Sequence, residues 1–136
     1  MGLSNNQPAK PLPLVLLYDT ESMTRNAFAM LVNQTGSARV LETGQLNLAT
    51  NMSLNHAFQL IVIGISAELS EMAFIKSIRN NLLLSEPNVP IIVMISEVTA
   101  ELVNELKLLN VTDILLKPTR LKHMHAALLR NLDLTH

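Results

Sequence analysis

Four short apolar runs, at 14–17 (LVLL), 60–65 (LIVIGI), 90–95 (PIIVMI) and 114–116 (ILL), set the strongest limit on how this chain folds. Each is nearly unbroken rather than alternating with polar residues. An alternating run leaves one strand face in water, whereas a continuous run is covered on both faces. Sheets covered on both faces are mostly parallel, and parallel strands need crossover helices. The stretches between the runs are longer and more polar, with apolar residues at helical spacing. All four runs fall far short of the ~20 residues that a membrane-spanning helix needs.

The spacing predicts five helices. The first starts at Thr20 or Ser22, turns Met23, Ala27, Met30 and Leu31 inward, and stops at Gly36. A weaker strand follows at 38–41. Residues 45–58 carry Leu46, Ala49, Met52 and Leu54 on a buried side. A third helix is expected over 67–84 with Leu69, Met72, Ile75, Ile78 and Leu82 inward, before Pro87 and Pro90. A fourth spans 100–109 (Leu102, Val103, Leu106 and Leu109 inward). The fifth spans 120–132, capped by Thr119, with Leu121, Met124, Leu128 and Leu132 inward. Alternating strands and helices with right-handed crossovers give an α/β, doubly wound, five-stranded parallel sheet in flavodoxin-like order 2-1-3-4-5.

At 136 residues there is room for one domain, expected over 14–136 after a flexible leader, 1–13, that holds three prolines. Hydrophobic residues at 49% against 15% charged exclude a disordered polyelectrolyte. The net charge of −1 gives no reason to expect direct binding to nucleic acid or membrane. Without Cys, disulfides, zinc thiolates and thiol nucleophiles are excluded. The first residues lack the apolar core of a signal peptide, so the cytoplasm is the expected compartment. No Gly-rich phosphate loop follows the first strand.

In a doubly wound sheet, function gathers at the carboxyl ends of the strands. Here those ends are Tyr18 and Asp19, Gly64 to Ser66, Ile95 and Ser96, and Leu116 to Pro118. The segments LVLLYDTESMTR, FQLIVIGIS, VPIIVMIS and VTDILLKPTRL resemble the first, third, fourth and fifth strands of bacterial response-regulator receiver domains (CheY-like). The resemblance spans about 14 to 132, and its most specific piece is Lys117-Pro118 after an apolar strand. It implies a site built from two adjacent acids that help hold Mg²⁺ and an Asp that accepts the phosphoryl group. A Ser or Thr contacts the phosphoryl oxygens, and a Lys neutralises them.

Carried onto this chain, the acid pair becomes Tyr18 and Asp19, and the acceptor position falls on Gly64. The hydroxyl position falls on Ile95, or on Ser96 with a register one residue later. The switch aromatic falls on Ile114, and the lysine on Lys117. The stretch Ile63, Gly64, Ile65, Ser66 holds no carboxylate, so a small register shift does not restore an acceptor. The resemblance thus implies a degenerate, non-enzymatic receiver that signals without phosphorylation, needing no cofactor and no metal.

Two accounts stay open for several residues. Asp19 and Lys117 form either a plain ion pair, which is favoured, or a vestigial metal or anion site. Tyr18 either folds over Gly64 into the missing acceptor's space, or Gly64 serves only the backbone. Glu21 is read as a carboxylate favouring a helix N-terminus, and His123 and His125 as surface residues. Glu101, Glu105, Lys107, Asp113, Arg120 and Lys122 mark a face made of the fourth helix, fifth strand and fifth helix. In the family that face binds partners or a second copy. The expected partner is another signalling protein or an output domain. The alternatives are a small-molecule or anion sensor using the strand-end cleft and, less favoured, a phospho-acceptor using Asp19.

Overall fold

The computed structural model describes residues 11–132. The leader expected over 1–13 lies outside them except for its last three residues. Five strands alternate with five helices: β1 (Leu14–Tyr18), α1 (Ser22–Thr35), β2 (Arg39–Thr43), α2 (Leu46–Asn55), β3 (Leu60–Gly64), α3 (Met72–Arg79), β4 (Ile91–Ile95), α4 (Ala100–Leu108), β5 (Asp113–Leu116) and α5 (Leu121–Leu132). Every strand pair is parallel, and the sheet order is β2-β1-β3-β4-β5. This is the flavodoxin-like arrangement that the apolar runs predict.

β1, β3 and β4 are buried at every position, as continuous apolar strands must be. The edge strands β2 and β5 are only partly covered. Side-chain alternation divides the interior into two cores. Leu16, Ile61, Ile63 and Val93 meet Ala49, Ile75 and Leu106 on the face covered by α2, α3 and α4. Val15, Leu17, Val62, Ile92 and Met94 meet Phe28, Val32, Met124 and Leu128 under α1 and α5. Each fully buried Leu, Ile, Val or Phe contributes about 1.5–3 kcal/mol relative to exposure.

The helices correct several expectations. In α1 the buried residues are Phe28, Ala29 and Val32. Met23 and Met30, expected inward, are 85% and 57% exposed. The buried stripe instead runs through Phe28 and Val32, one turn apart, with Ala27 and Leu31, which were expected inward, partly buried against the same core. Gly36 does end α1, at φ 62°. The third helix is much shorter than 67–84 because Leu69 (φ 57°) and Asn81 (φ 60°) are left-handed and cannot continue a right-handed helix. Leu69 and Leu82 are consequently exposed, as are Leu54 of α2 and Leu121 of α5. Thr99 caps α4 by accepting from the Leu102 amide, but Thr119 instead donates its hydroxyl to the Leu116 carbonyl at 2.8 Å.

At the opposite end of the sheet from the candidate site, Arg79 ties three segments together. Its guanidinium donates to the carbonyls of Leu109 (2.6 Å), Pro87 (2.7 Å), Val89 (2.8 Å) and Asn110 (3.1 Å). Burial lowers its pKa. These carbonyls close the turns before β4 and β5, so a helix residue fixes where two strands begin.

Candidate functional site

β1 ends inside the sheet, so Asp19 leaves the strand only 1% exposed. Its Oδ1 accepts from the Glu21 amide at 2.9 Å. Lys117, just past β5, places its ammonium 3.0 Å from Oδ1 and 2.8 Å from Oδ2. The Oδ2 contact lacks hydrogen-bond alignment, leaving that atom paired by charge alone. The same ammonium lies 2.5 Å from Glu21 Oε1. Burial would lower the Lys117 pKa, but its bonds to Asp19 and Glu21 outweigh that and raise it. The expected ion pair is present, and it is a triad. The sequence reading missed that Glu21, the residue before α1, faces Lys117.

Gly64 explains where the Asp19 carboxylate goes. A Cβ built at Gly64 would collide with that carboxyl group. The space beside Gly64 is therefore filled by Asp19, not by the Tyr18 ring as one of the two accounts had it. Gly44 makes similar room for Arg25, whose Nη1 donates to the Asp19 carbonyl at 2.6 Å.

Tyr18 is buried and points into the α2–α3–α4 face, following the alternation of β1. Its hydroxyl donates to Glu71 Oε2 at 3.0 Å. Oε1 of Glu71 accepts from the Ser66 amide (2.9 Å) and the Ser66 hydroxyl (3.0 Å). Burial, then the bond to Glu71 and the nearby carboxylate charges, push the Tyr18 pKa well up. Glu71, 1% exposed, was not singled out from the sequence. Its one signal is an acid set directly before the apolar MAFI of α3, five residues after the strand-end Ser66.

Ile95 is buried in the core, whereas Ser96 stands exposed at the rim. Both line a cleft of about 360 Å³ at the strand ends, together with Glu21, Ser66, Leu69, Glu97, Leu102 and Lys117. The structure thus brings Asp19, Gly64 and Lys117 into contact, sets Ile95 and Ser96 across the cleft, and turns Tyr18 toward Glu71.

About nine-tenths of the chain superposes on solved receivers. It is similar to the Vibrio cholerae chemotaxis protein CheY4 (TM-score 0.77, 20% identity, 89% of this chain and 99% of that one). It is equally similar to a response regulator from Thermotoga maritima (TM-score 0.77, 17% identity, 90% and 99%). HP1043, an orphan response regulator of H. pylori, superposes with TM-score 0.75 at 17% identity over 92% and 99%. The fold is that of a CheY-like receiver domain. No family model and no curated protein sequence matches the chain.

The receiver resemblance implies Mg²⁺, and the donor set does not fit it. Octahedral Mg²⁺ wants several oxygen ligands with free lone pairs. Here Asp19 and Glu21 are both engaged by Lys117, and Gly64 supplies no carboxylate or other side-chain oxygen. Among the described residues no three acidic or histidine side chains are grouped closely enough to hold a metal.

The receiver's fourth-helix to fifth-helix face is only partly the mixed-charge array expected. Glu105 reaches sideways to Lys76 of α3 at 3.1 Å. Asp113 is taken up within the chain by Arg130 and Asn131, both at 2.7 Å. Glu101, Lys107, Arg120 and Lys122 are exposed, with Leu108, Leu116 and Leu121 exposed among them. His123 and His125 are exposed as expected.

Proposed function

We propose that this chain is a degenerate receiver that transmits a signal by contact with another signalling protein or an output domain, without aspartyl phosphorylation and without catalysis of its own. One observation carries this reading: the volume beside Gly64 is filled by the Asp19 carboxylate, which Lys117 neutralises. A phosphoryl group there would lack both an acceptor and a free lysine. Among the described residues no helix is long and apolar enough to cross a membrane, and we place the protein in the cytoplasm. The exposed Leu108, Leu116 and Leu121 support a partner or a second copy on the α4–β5–α5 face. Nothing in the charge balance supports direct nucleic-acid binding.

The test is a titration with beryllofluoride and Mg²⁺ followed by amide chemical shifts. The amides of Asp19, Gly64, Ser96 and Lys117 are expected to stay unperturbed. Saturable shifts there would overturn the reading in favour of an unorthodox acceptor or an anion site. A second reading, ligand sensing at the strand ends, is favoured by the 360 Å³ cleft, a volume within the range of small-molecule pockets.

A further inference from the structure

The longest stretch of the sequence without a charged residue, 43–67, contains the whole of α2. That helix turns Ala49, Met52 and Ser53 to the core and leaves Asn47, Leu48, Asn51, Leu54 and Asn55 in solvent. The 80–85 segment (NNLLLS), also uncharged, lies against it. The Leu84 amide donates to the Ser53 carbonyl at 3.0 Å, and the Ser85 hydroxyl accepts from the Phe58 amide at 2.9 Å. Leu82 and Leu84, 66% and 57% exposed, thereby join the exposed Leu48 and Leu54. Leucines gathered in water with no charge among them mark a contact surface. Lys76 of α3 turns away from this face, to Glu105 of α4.

Two charges of opposite sign end the face. Arg39 opens β2, where its amide donates to the Pro13 carbonyl, and the Gln59 amide donates to that of Leu14, both at 2.9 Å. Continued by the Phe58–Ser85 bond, this row runs from Arg39 past the C-terminal end of α2 to Glu86. Both side chains are exposed, and neither has an ion pair or hydrogen bond among the described residues. A two-fold axis sets residue i against j and j against i. Through this face it brings each Arg39 to the Glu86 of the other copy and leucine to leucine. No like charges meet, and the amides of Asn47, Asn51 and Asn55 both donate and accept. The surface is complementary to itself.

We propose that two copies of this chain associate through α2 and the 80–85 segment. This goes beyond the proposed function. α2 lies over β1 and β2, whereas β5 forms the opposite edge of the sheet. Such a dimer leaves the α4–β5–α5 face open on both copies and offers a signalling partner two contact sites.

The test is sedimentation equilibrium of the full chain. A monomer–dimer equilibrium is expected, with a dissociation constant on the order of 10–100 μM for a small interface. Leu54→Glu, at an exposed position, should keep the circular dichroism of the fold and abolish the dimer. Arg39→Glu and Glu86→Arg should each weaken it about tenfold, since two exposed ion pairs become like-charge contacts. The double variant restores the pairs and should return to within about threefold of the original. Leu108→Glu, on the α4–β5–α5 face, should leave the dimer intact. A monomer at every concentration up to about 1 mM, a dimer that Leu54→Glu spares, or a double variant no tighter than the single ones would each overturn the proposal. None of these outcomes bears on the filled space beside Gly64, which the beryllofluoride titration tests separately.

Discussion

Gly64 and Asp19 occupy one volume between them: the strand residue gives up its side chain, and the carboxylate from the neighbouring strand's end fills the gap. That relationship connects the sequence to the proposed function, because it sets a charged ion pair beside Gly64, the position onto which the receiver resemblance carries the acceptor.

Adding a single methyl should therefore be felt. Gly64→Ala is expected to destabilise by about 1–3 kcal/mol, the cost of overpacking a filled site. In an Asp19→Ala background the same change should cost less, because the colliding group has gone. Urea unfolding of the four proteins measures this coupling, and equal costs in both backgrounds would refute the shared volume.

Lys117 neutralises a carboxylate that is 1% exposed. Lys117→Met is expected to cost about 3–5 kcal/mol, since it leaves Asp19 buried without a counter-charge. Lys117→Met with Asp19→Asn should recover a large part of that loss. Chemical denaturation at neutral pH distinguishes the two variants.

Tyr18 is the chain's only tyrosine and there is no tryptophan, so phenolate absorbance reports this position alone. Its pKa is raised in the fold by burial and by Glu71, and that of Lys117 is raised by Asp19 and Glu21 against burial. A raised folded pKa means stability that is fully present below the unfolded value and lost as pH climbs toward the folded one. Stability should be flat in these groups up to about pH 10 and fall above it. Phenolate absorbance should appear only together with unfolding. Tyr18→Phe should cost about 1.5–3 kcal/mol by removing a donor from a buried carboxylate and should flatten part of the alkaline decline.

The four carbonyls gathered by Arg79 need a fork of donors. Lysine keeps the charge but presents one nitrogen. Arg79→Lys is expected to destabilise by about 2–4 kcal/mol, summing the lost hydrogen bonds. Thermal unfolding gives the magnitude, and a cost below about 0.5 kcal/mol, the range of an ordinary surface change, would contradict the clamp.

The sheet was legible in the sequence because strands buried on both faces must be continuously apolar, and β1, β3 and β4 are. The helix faces were less so. Met23 and Met30 fit a helical stripe as well as Phe28 and Val32 do, and only packing against β1 chooses between stripes one residue apart. The end of α3 was readable in Asn81, a residue that tolerates left-handed backbone, but Leu69 in that conformation runs against its own preference. At the site, the Asp19–Lys117 pair followed from the resemblance. The Tyr18–Glu71–Ser66 bonds did not, because they join three segments whose approach only the tertiary fold sets.

The filled space beside Gly64 also acts as a mutational ratchet. Glycine and aspartate codons can differ by one base, so position 64 is a short step from an acidic residue. Taken first, that step drives a second carboxylate into the one already there. If Asp19 is lost first, Lys117 is left with only the exposed Glu21. Either order passes through a less stable intermediate, so selection for a folded protein alone would keep the site as it is, whatever signal it carries.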